Sequence, residues 1–285
     1  MRISHNITAL NTYRQYNTNT VNTNKSMEKL SSGSRINRAA DDAAGLSISE
    51  KMRSQIRGLT QATRNAQDGV SFIQTAEGAL NEVSDMLTRM KELATQVTNG
   101  TYSGDDQDNI GAEMKALGTA VQGIYANTKF NGTKVFGDYT AHATDGTIVT
   151  TAATGTAATI TYGEDGGQSV TIADAAVASM NALLTAAGAA DTTPSGVNDG
   201  LVEAAITEVN TSRATYGAQQ NQLEHAANNM ATTKENLQAA ESRVRDVDMA
   251  DEMMNYTKNN ILLQAAQAML AQANSQPQGV LQLLQ

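Results

Sequence analysis

The sequence predicts a mainly α protein in which long antiparallel helices form coiled-coil rods, with a small β-hairpin region in the middle of the chain. Three features carry this prediction: a seven-residue apolar repeat near the C-terminal end, a second periodic stretch near the N-terminal end, and a Gly- and Thr-rich segment between them. The repeat indicates supercoiled helices because an α-helix turns every 3.6 residues, whereas the apolar stripe recurs every 3.5 on average.

The C-terminal repeat predicts a helix over residues 200–247. Every seventh residue of this stretch is apolar, and these residues form the predicted core seam: Val202, Val209, Tyr216, Leu223, Met230, Leu237 and Val244. A second seam between the same turns mixes alanine with small polar residues, which predicts close helix approach rather than a leucine zipper. The stretch by itself leaves the oligomeric state open.

A partner helix is predicted over residues 46–98. Alternating steps of four and three from Ile48 to Val97 meet apolar residues at every position except Gln55 and Gly69, which is the spacing of one helix face. The two long helices come from opposite halves of the chain. They pair side by side when the middle of the chain reverses direction.

The two ends of the chain carry weaker signals. Residues 1–35 are rich in Asn, Thr and Ser with only short apolar stripes, so a helix there needs a surface to fold against. Near the C-terminus, five apolar residues continue the four-three spacing in a shifted frame: Met249, Met253, Tyr256, Leu263 and Leu270. Pro277 and Gly279 are expected to stop or bend this helix and leave an exposed apolar end. An external partner is the favoured occupant of that end, and the chain's own N-terminal helix is the alternative.

The middle of the chain predicts one more helix and a hairpin. Asp105 or Asp106 is expected to cap a third helix that runs to about residue 127. Residues 140–172 alternate like strands. Four of them are expected to share one face of a hairpin around an Asp-Gly turn at 165–166: Ile160, Tyr162, Val170 and Ile172.

Composition excludes several classes of function. A net charge of −9 argues against nucleic acid as a partner, because phosphate binding needs clustered Lys and Arg. The absence of cysteine excludes disulfides and thiolate sites, and the three histidines lie in unrelated segments without ligand spacing, so no metal or cofactor is predicted. No stretch approaches the roughly 18 apolar residues of a membrane span. We therefore expect a protein that is not an enzyme.

Long segments at both ends resemble a known family. Residues 31–59, SSGSRINRAADDAAGLSISEKMRSQIRGL, closely resemble the N-terminal signature of bacterial flagellins. AAESRVRDVDMADEM at 239–253 and TKNNILLQAAQAMLAQANSQPQGVLQLL at 257–284 resemble the C-terminal signature. The resemblance covers roughly residues 1–135 and 200–285, in the right order. The middle is similar to that of a short flagellin without the outer variable domains.

The resemblance implies a structural subunit that polymerises with itself, in about eleven protofilaments, into the filament that serves as a helical propeller for motility. It implies an inner coiled-coil domain made by residues 1–44 and 245–285, and a core helical domain at 45–244 with β-hairpins at about 130–172. It also implies export through the flagellar type III apparatus without a cleaved signal peptide, and an extracellular location.

Partners are implied in the same way: a flagellar export chaperone, hook-associated and filament-cap proteins, and a host toll-like receptor of innate immunity. The receptor-contact candidates are Arg89, Leu93, Gln96 and Glu113. The first three fall on a stripe distinct from the seam that faces the core, so their side chains are expected to be available to a partner. The candidates for contact with the chaperone or the inner channel are Leu263, Leu270, Val280, Leu281, Leu283 and Leu284.

Two alternatives stand beside the filament subunit. A hook-filament junction protein of the flagellum would share the terminal helices and the export route. An enzyme carried on a flagellin scaffold belongs to a different class, but the middle of this chain is short and lacks an HExxH metal motif.

Overall fold

The computed structural model describes residues 6–99, 101–136, 158–163, 167–172, 179, 182–183, 186 and 199–283, with side chains described up to residue 276. Long helices dominate these residues: α1 Ile7–Ser32, α2 Ala43–Val97, α3 Gly104–Asn127, α4 Asp199–Arg245 and α5 Met249–Leu283. The strands are short: β1 Lys129–Phe130, β2 Thr133–Lys134, β3 Thr159–Thr161 and β4 Ser169–Thr171. The predicted mainly α class with hairpins in the middle of the chain is confirmed.

The two long helices closely match their predicted bounds. α2 begins three residues before the predicted start at 46 and ends one before the predicted end at 98, and α4 departs from 200–247 by one or two residues. This agreement follows from length, because an apolar stripe sustained over many turns constrains the helix period far better than a single turn does.

A capping box starts α3. The N-cap residue is Ser103, whose hydroxyl accepts a hydrogen bond from the Asp106 backbone N–H at 3.4 Å, while the Asp106 carboxylate accepts one from the Ser103 N–H at 3.3 Å. The expectation that Asp105 or Asp106 is itself the cap is therefore wrong. Both aspartates lie inside the first turn, where negative charge is favoured by the helix dipole.

The hairpins lie in the middle of the chain. β1 and β2 join through Asn131-Gly132, where both residues have positive φ, 49° and 81°, as a tight two-residue hairpin turn requires. In the second hairpin Ile160 pairs with Val170. Val170 and Ile172 are buried while Ile160 and Tyr162 are half-buried, so the predicted shared face is confirmed. The predicted turn at 165–166 and the strand-like residues 140–157 lie outside the described residues.

The chain forms two compact units. Unit 1 comprises residues 1–56 and 235–285, and unit 2 comprises residues 57–234. Within the part of the chain that the structure describes, no helix is long and apolar enough to cross a membrane.

The core of unit 2 is built by α2, α3, α4 and the hairpins, and one close contact in it joins α2 to α4 and the second hairpin. A Cβ placed on Gly69 would lie 3.0 Å from the Ile160 side chain and 3.1 Å from that of Leu223. The missing side chain at Gly69 therefore allows the hairpin and α4 to approach the α2 backbone. This is why glycine interrupts an otherwise apolar stripe.

Candidate assembly surface

α1 and α5 pair antiparallel in unit 1 through an unusually polar contact. On α1 the buried residues are Asn19, Thr23 and Ser26, which follow the spacing of a coiled-coil seam. The facing side of α5 is carried by small and apolar residues that are buried or half-buried: Tyr256, Leu263, Ala266, Leu270 and Ala273. Small polar side chains allow close approach, but they bury little apolar area.

Asn6 ties the start of α1 to the far end of α5. Its Oδ1 accepts a hydrogen bond from the Ala9 N–H at 3.1 Å and so caps α1, while its Nδ2 donates to the Ala273 carbonyl at 2.7 Å. Ala273 precedes Pro277 by four residues, and proline has no N–H with which to satisfy that carbonyl. Asn6 supplies the missing donor.

α5 continues through both predicted helix breakers. The helix runs to Leu283, so of the expected stop or bend at Pro277 and Gly279, the stop is wrong. The donor that Pro277 cannot provide comes from Asn6 on the neighbouring helix, which removes the main cost of an orphaned carbonyl.

Many of the large apolar residues of unit 1 are turned outward. Residues 6–276, within the described ranges, contain twelve large apolar side chains that are at least 42% exposed. All twelve belong to unit 1: Ile7, Leu10, Tyr13, Val21, Met27, Ile48, Met249, Met253, Met254, Ile261, Leu262 and Met269. Monomeric proteins rarely expose a large contiguous apolar patch, and such patches mark interaction surfaces.

Two shallow grooves lie along this surface. The groove on α5 is lined by Met253, Met254, Thr257, Lys258, Ile261 and Leu262. The groove on α1 is lined by Tyr13, Arg14, Asn17, Thr18, Val21 and Asn22. Each follows one helical stripe, so each presents a straight track to another helix.

The energy of covering these side chains sets how many of them a stable contact needs. Fully burying one large apolar side chain contributes about 1.5–3 kcal/mol, so covering a half-exposed one contributes roughly 1 kcal/mol. Association costs about 4–15 kcal/mol of lost freedom. Single contacts are therefore too weak, and most of the twelve side chains must be covered together for stable assembly.

The segment that follows α1 and the segment that joins α4 to α5 pair with each other in unit 1. Ser34 and Asp246 form an antiparallel bridge. The Arg35 N–H donates to the Arg245 carbonyl at 2.6 Å, and the Val247 N–H donates to the Gly33 carbonyl at 3.1 Å. Gly33 ends α1 in the left-handed region, with φ at 68°, which favours glycine. The two connections are thus held as one short ribbon.

Charged side chains secure the same region. The Arg245 guanidinium donates to the Ser49 hydroxyl at 3.2 Å and to the Glu50 carboxylate at 2.8 Å. The Asp41 carboxylate accepts hydrogen bonds from the backbone N–H groups of Arg38 at 3.0 Å and Asn37 at 3.3 Å. These bonds lower the pKa of Asp41 below its ordinary value of 3.8, and the bond from Arg38 has the largest effect.

The predicted receptor-contact residues do not all reach the surface. Arg89 is exposed and pairs with Glu92 and with Glu113 of α3, both at 2.9 Å. Its hydrogen bonds to Glu92 and Glu113 raise the pKa of Arg89, and the bond to Glu92 has the larger effect. Gln96 is half-buried and donates to the Tyr102 hydroxyl at 3.0 Å.

Leu93 departs from this group. Its side chain is only 1% exposed, so the expectation that it is available to a partner is wrong for this fold. The core-facing surface of α2 is wider than a single four-three stripe, because both Leu93 and Ala94 are buried beside each other. A helix packed by more than one neighbour buries such a broad face.

The predicted core seam is not buried along its whole length. Five of its residues are at most 6% exposed: Val202, Val209, Tyr216, Leu223 and Met230. Leu237 and Val244, which lie in unit 1, are half-buried. The α5 candidates Leu263 and Leu270 are half-buried on the side that faces α1. The side chains of Val280, Leu281, Leu283 and Leu284 lie outside the described residues.

Sequence reasoning missed half of the outward surface. It placed Met249 and Met253 on one face with Tyr256, Leu263 and Leu270, whereas the structure exposes the two methionines. The outward stripe also includes Met254, Ile261 and Met269. Their regular spacing of seven and eight residues was a usable signal, because it describes a second apolar face on the same helix.

Comparison with known proteins identifies the relatives of this chain. Residues 3–141 match the bacterial flagellin N-terminal helical region, and residues 200–284 match the bacterial flagellin C-terminal helical region. Flagellin of Bacillus subtilis (strain 168) is 48% identical over 311 aligned residues, and flagellin of Halalkalibacterium halodurans is 48% identical over 287. The flagellar filament 33 kDa core protein of Treponema phagedenis is 42% identical over 301. In each comparison the alignment covers 100% of both chains.

Proposed function

Since this chain belongs to the bacterial flagellin family, and is thus a structural subunit of the flagellar filament used for motility rather than an enzyme, we propose that unit 1 drives its polymerisation. The observation that carries this proposal is the segregation of exposed apolar side chains. All twelve large ones in the described residues lie in unit 1, whereas the apolar seams of unit 2 pack within the chain.

Neighbouring copies of the chain are the proposed occupants of this surface. The α5 groove and the α1 groove differ in their lining residues, so a contact between them joins unlike surfaces of two copies. Contacts of this heterologous kind need not close into a ring, and they generate helical filaments when they do not. The filament is extracellular in this proposal.

An assembly assay tests the proposal. Ile261 is 61% exposed, and Ile261→Ser removes apolar area that should be covered in the polymer while it removes little packing within the chain. A loss of about 1.4 kcal/mol corresponds to a tenfold change in affinity, so we expect the critical concentration for seeded polymerisation to rise about tenfold. Gln264→Ser, at an exposed polar position of the same helix, is the matched control. An unchanged critical concentration for Ile261→Ser would contradict the proposal.

The domain organisation follows from the same division. We place the inner coiled-coil domain at residues 1–44 and 245–285, and the core domain at 45–244 with its hairpins at about 130–172. The grouping of residues 1–56 with 235–285 supports a division of this kind, with the proposed boundaries nearer to the two ends of the chain.

Other flagellar proteins are proposed to bind the same unit. A helical filament leaves uncovered contacts at both of its ends, and these suit hook-associated and filament-cap proteins. An export chaperone would bind residues 245–285 before assembly. Leu263 and Leu270 are half-buried beside α1, so a chaperone that covers them must displace α1.

A host toll-like receptor is the proposed partner of the exposed side of α2 and α3. Arg89 and Glu113 form one charged cluster across these helices, with side chains 50% and 46% exposed. Gln96 continues the stripe. We expect Arg89→Ala to lower receptor signalling by the purified monomer while its helix content stays unchanged, whereas Lys115→Ala is the matched surface control. Equal signalling by Arg89→Ala and the parent would contradict this assignment.

A further inference from the structure

Methionine is the only sulfur-containing residue of this chain. The sequence has twelve methionines and no cysteine, so no thiol competes with the thioethers for an oxidant. Methionine sulfur is converted by peroxides to the sulfoxide, which is polar and reducible by dedicated enzymes. Which methionines react depends on access of the oxidant to sulfur.

Access of an oxidant differs widely among the described methionines. Met27 on α1 is 50% exposed, and four on α5 are open to solvent: Met254 is 64% exposed, Met269 61%, Met249 50% and Met253 49%. By contrast, Met90 and Met114 in unit 2 are 0% exposed. We call the four α5 residues the methionine stripe.

The methionine stripe consists of α5 side chains that α1 leaves largely uncovered. Met253 and Met254 line the α5 groove together with Ile261 and Leu262, whereas the contact with α1 is carried by residues such as Leu263 and Ala266. A change of polarity on the stripe therefore alters the outward surface and leaves the pairing of α1 with α5 in place.

We propose that the methionine stripe is an oxidation site that switches off the assembly competence of the free subunit, an inference that rests on the proposed assembly surface. The oxidant is hydrogen peroxide or another peroxide. The thioether sulfur attacks one peroxide oxygen, the O–O bond breaks, and the sulfur becomes a sulfoxide. The second oxygen leaves as hydroxide, or as alkoxide from an organic peroxide, and takes up the proton that the transferred oxygen releases, which gives water or an alcohol. Sulfur is oxidised by two electrons and the peroxide is reduced by two.

Sulfoxidation weakens assembly because each new S=O group is a strong hydrogen-bond acceptor. Covering it with apolar side chains of a neighbouring copy removes its water without supplying a donor. Each subunit carries four such positions in its outward surface. Subunits already in a filament have this surface covered, so oxidation acts on free subunits and at filament ends.

The first test measures site selectivity. The purified full-length monomer is treated with hydrogen peroxide, and sulfoxide at each methionine is followed by peptide mass spectrometry. We expect the stripe to react at least about tenfold faster than Met90 and Met114, because oxidation of those residues requires the core to open. In assembled filaments the stripe should react as slowly as the core. Equal rates for stripe and core in the monomer would overturn the proposal.

The second test measures assembly. Peroxide should reduce seeded polymerisation of the parent, and treatment with methionine sulfoxide reductase should restore it. The matched variant replaces the whole stripe with leucine: Met249→Leu, Met253→Leu, Met254→Leu and Met269→Leu. Leucine keeps apolar volume, so this variant should polymerise with or without peroxide. Circular dichroism checks that oxidation leaves the helix content unchanged.

The outcomes separate this inference from the assembly proposal. If the leucine variant is inhibited by peroxide as strongly as the parent, the stripe is not the site and the inference fails. If oxidised parent polymerises normally while Ile261→Ser does not, the oxidation switch fails but the assembly surface stands. If both polymerise normally, both proposals fail.

Discussion

Leu223 offers the sharpest test of how α4 packs in unit 2. Its side chain is 0% exposed, and one of its methyl groups lies 3.1 Å from the point where a Cβ on Gly69 would be. Leu223→Ala removes these buried carbons and leaves a cavity between two long helices. Substitutions of this type cost about 3–5 kcal/mol, a large part of a typical net stability of about 5–15 kcal/mol.

The magnitude translates into a measurable change in melting temperature. For a unit of this size each kcal/mol shifts the midpoint by about 2–4 °C, so Leu223→Ala should lower it by roughly 6–20 °C. Far-UV circular dichroism of the purified monomer during heating measures this midpoint. Leu237→Ala is the matched control, because Leu237 occupies the same seam two repeats later but is only half-buried. It should lower the midpoint by at most about half as much.

A second substitution probes the same contact from the other side. Gly69→Ala places a methyl group against Leu223, so it should be tolerated better when Leu223 is already alanine. The double variant should therefore be less destabilised than the sum of the two single variants. If Leu223→Ala lowers the midpoint no more than Leu237→Ala, and Gly69→Ala is equally tolerated in both backgrounds, α2 and α4 do not meet as described.

Three further predictions concern Asn6, Asp41 and Leu93. Asn6→Ala should lower the thermal midpoint of filaments, because loss of the α1 cap alone costs about 1 kcal/mol. Adding Pro277→Ala should recover part of this loss, because alanine restores a backbone N–H donor. No recovery would contradict the role of Asn6 as a bridge between α1 and α5. The lowered pKa of Asp41 means that its charged form contributes stability above pH 3.8, and this stability is lost as pH falls through the lowered value. The midpoint difference between Asp41→Asn and the parent should therefore be full at pH 7 and shrink as pH falls below 3.8; a difference that stays constant would refute this. In urea unfolding, Leu93→Ala should lower the free energy of unfolding of the monomer by about 2–5 kcal/mol. Arg89→Ala should change it by at most about 1 kcal/mol. Equal losses of unfolding free energy for the two variants would show that Leu93 is not buried.

Most of the secondary structure could be predicted from local periodicity in the sequence. The helices near 46–98 and 200–247 were predictable because their stripes extend over many turns, and an α-helix is the only regular structure with that period. The second hairpin was predictable from alternation in Ile160, Tyr162, Val170 and Ile172. These are properties of residues close together in the chain, so they can be read without knowing which segments meet.

The candidate site was predictable only in part. The exposed apolar character of the C-terminal helix was visible in its composition, but Leu93 was expected on the outward face, Met249 and Met253 were placed on the face of Tyr256, and Met254, Ile261 and Met269 were missed. A four-three pattern locates one stripe on a helix and does not say how wide the buried face is. That width depends on how many neighbours the helix has.

By itself the sequence determined the helical class, the two long seams and the family. Only the tertiary structure decided which side of each terminal helix is covered. α1 buries Asn19, Thr23 and Ser26 against α5 while Leu10 and Met27 remain exposed, the reverse of what hydrophobicity in one chain predicts. The physical reason is that apolar side chains need a partner surface, and the described residues do not provide one for these side chains, so their burial is left to other molecules.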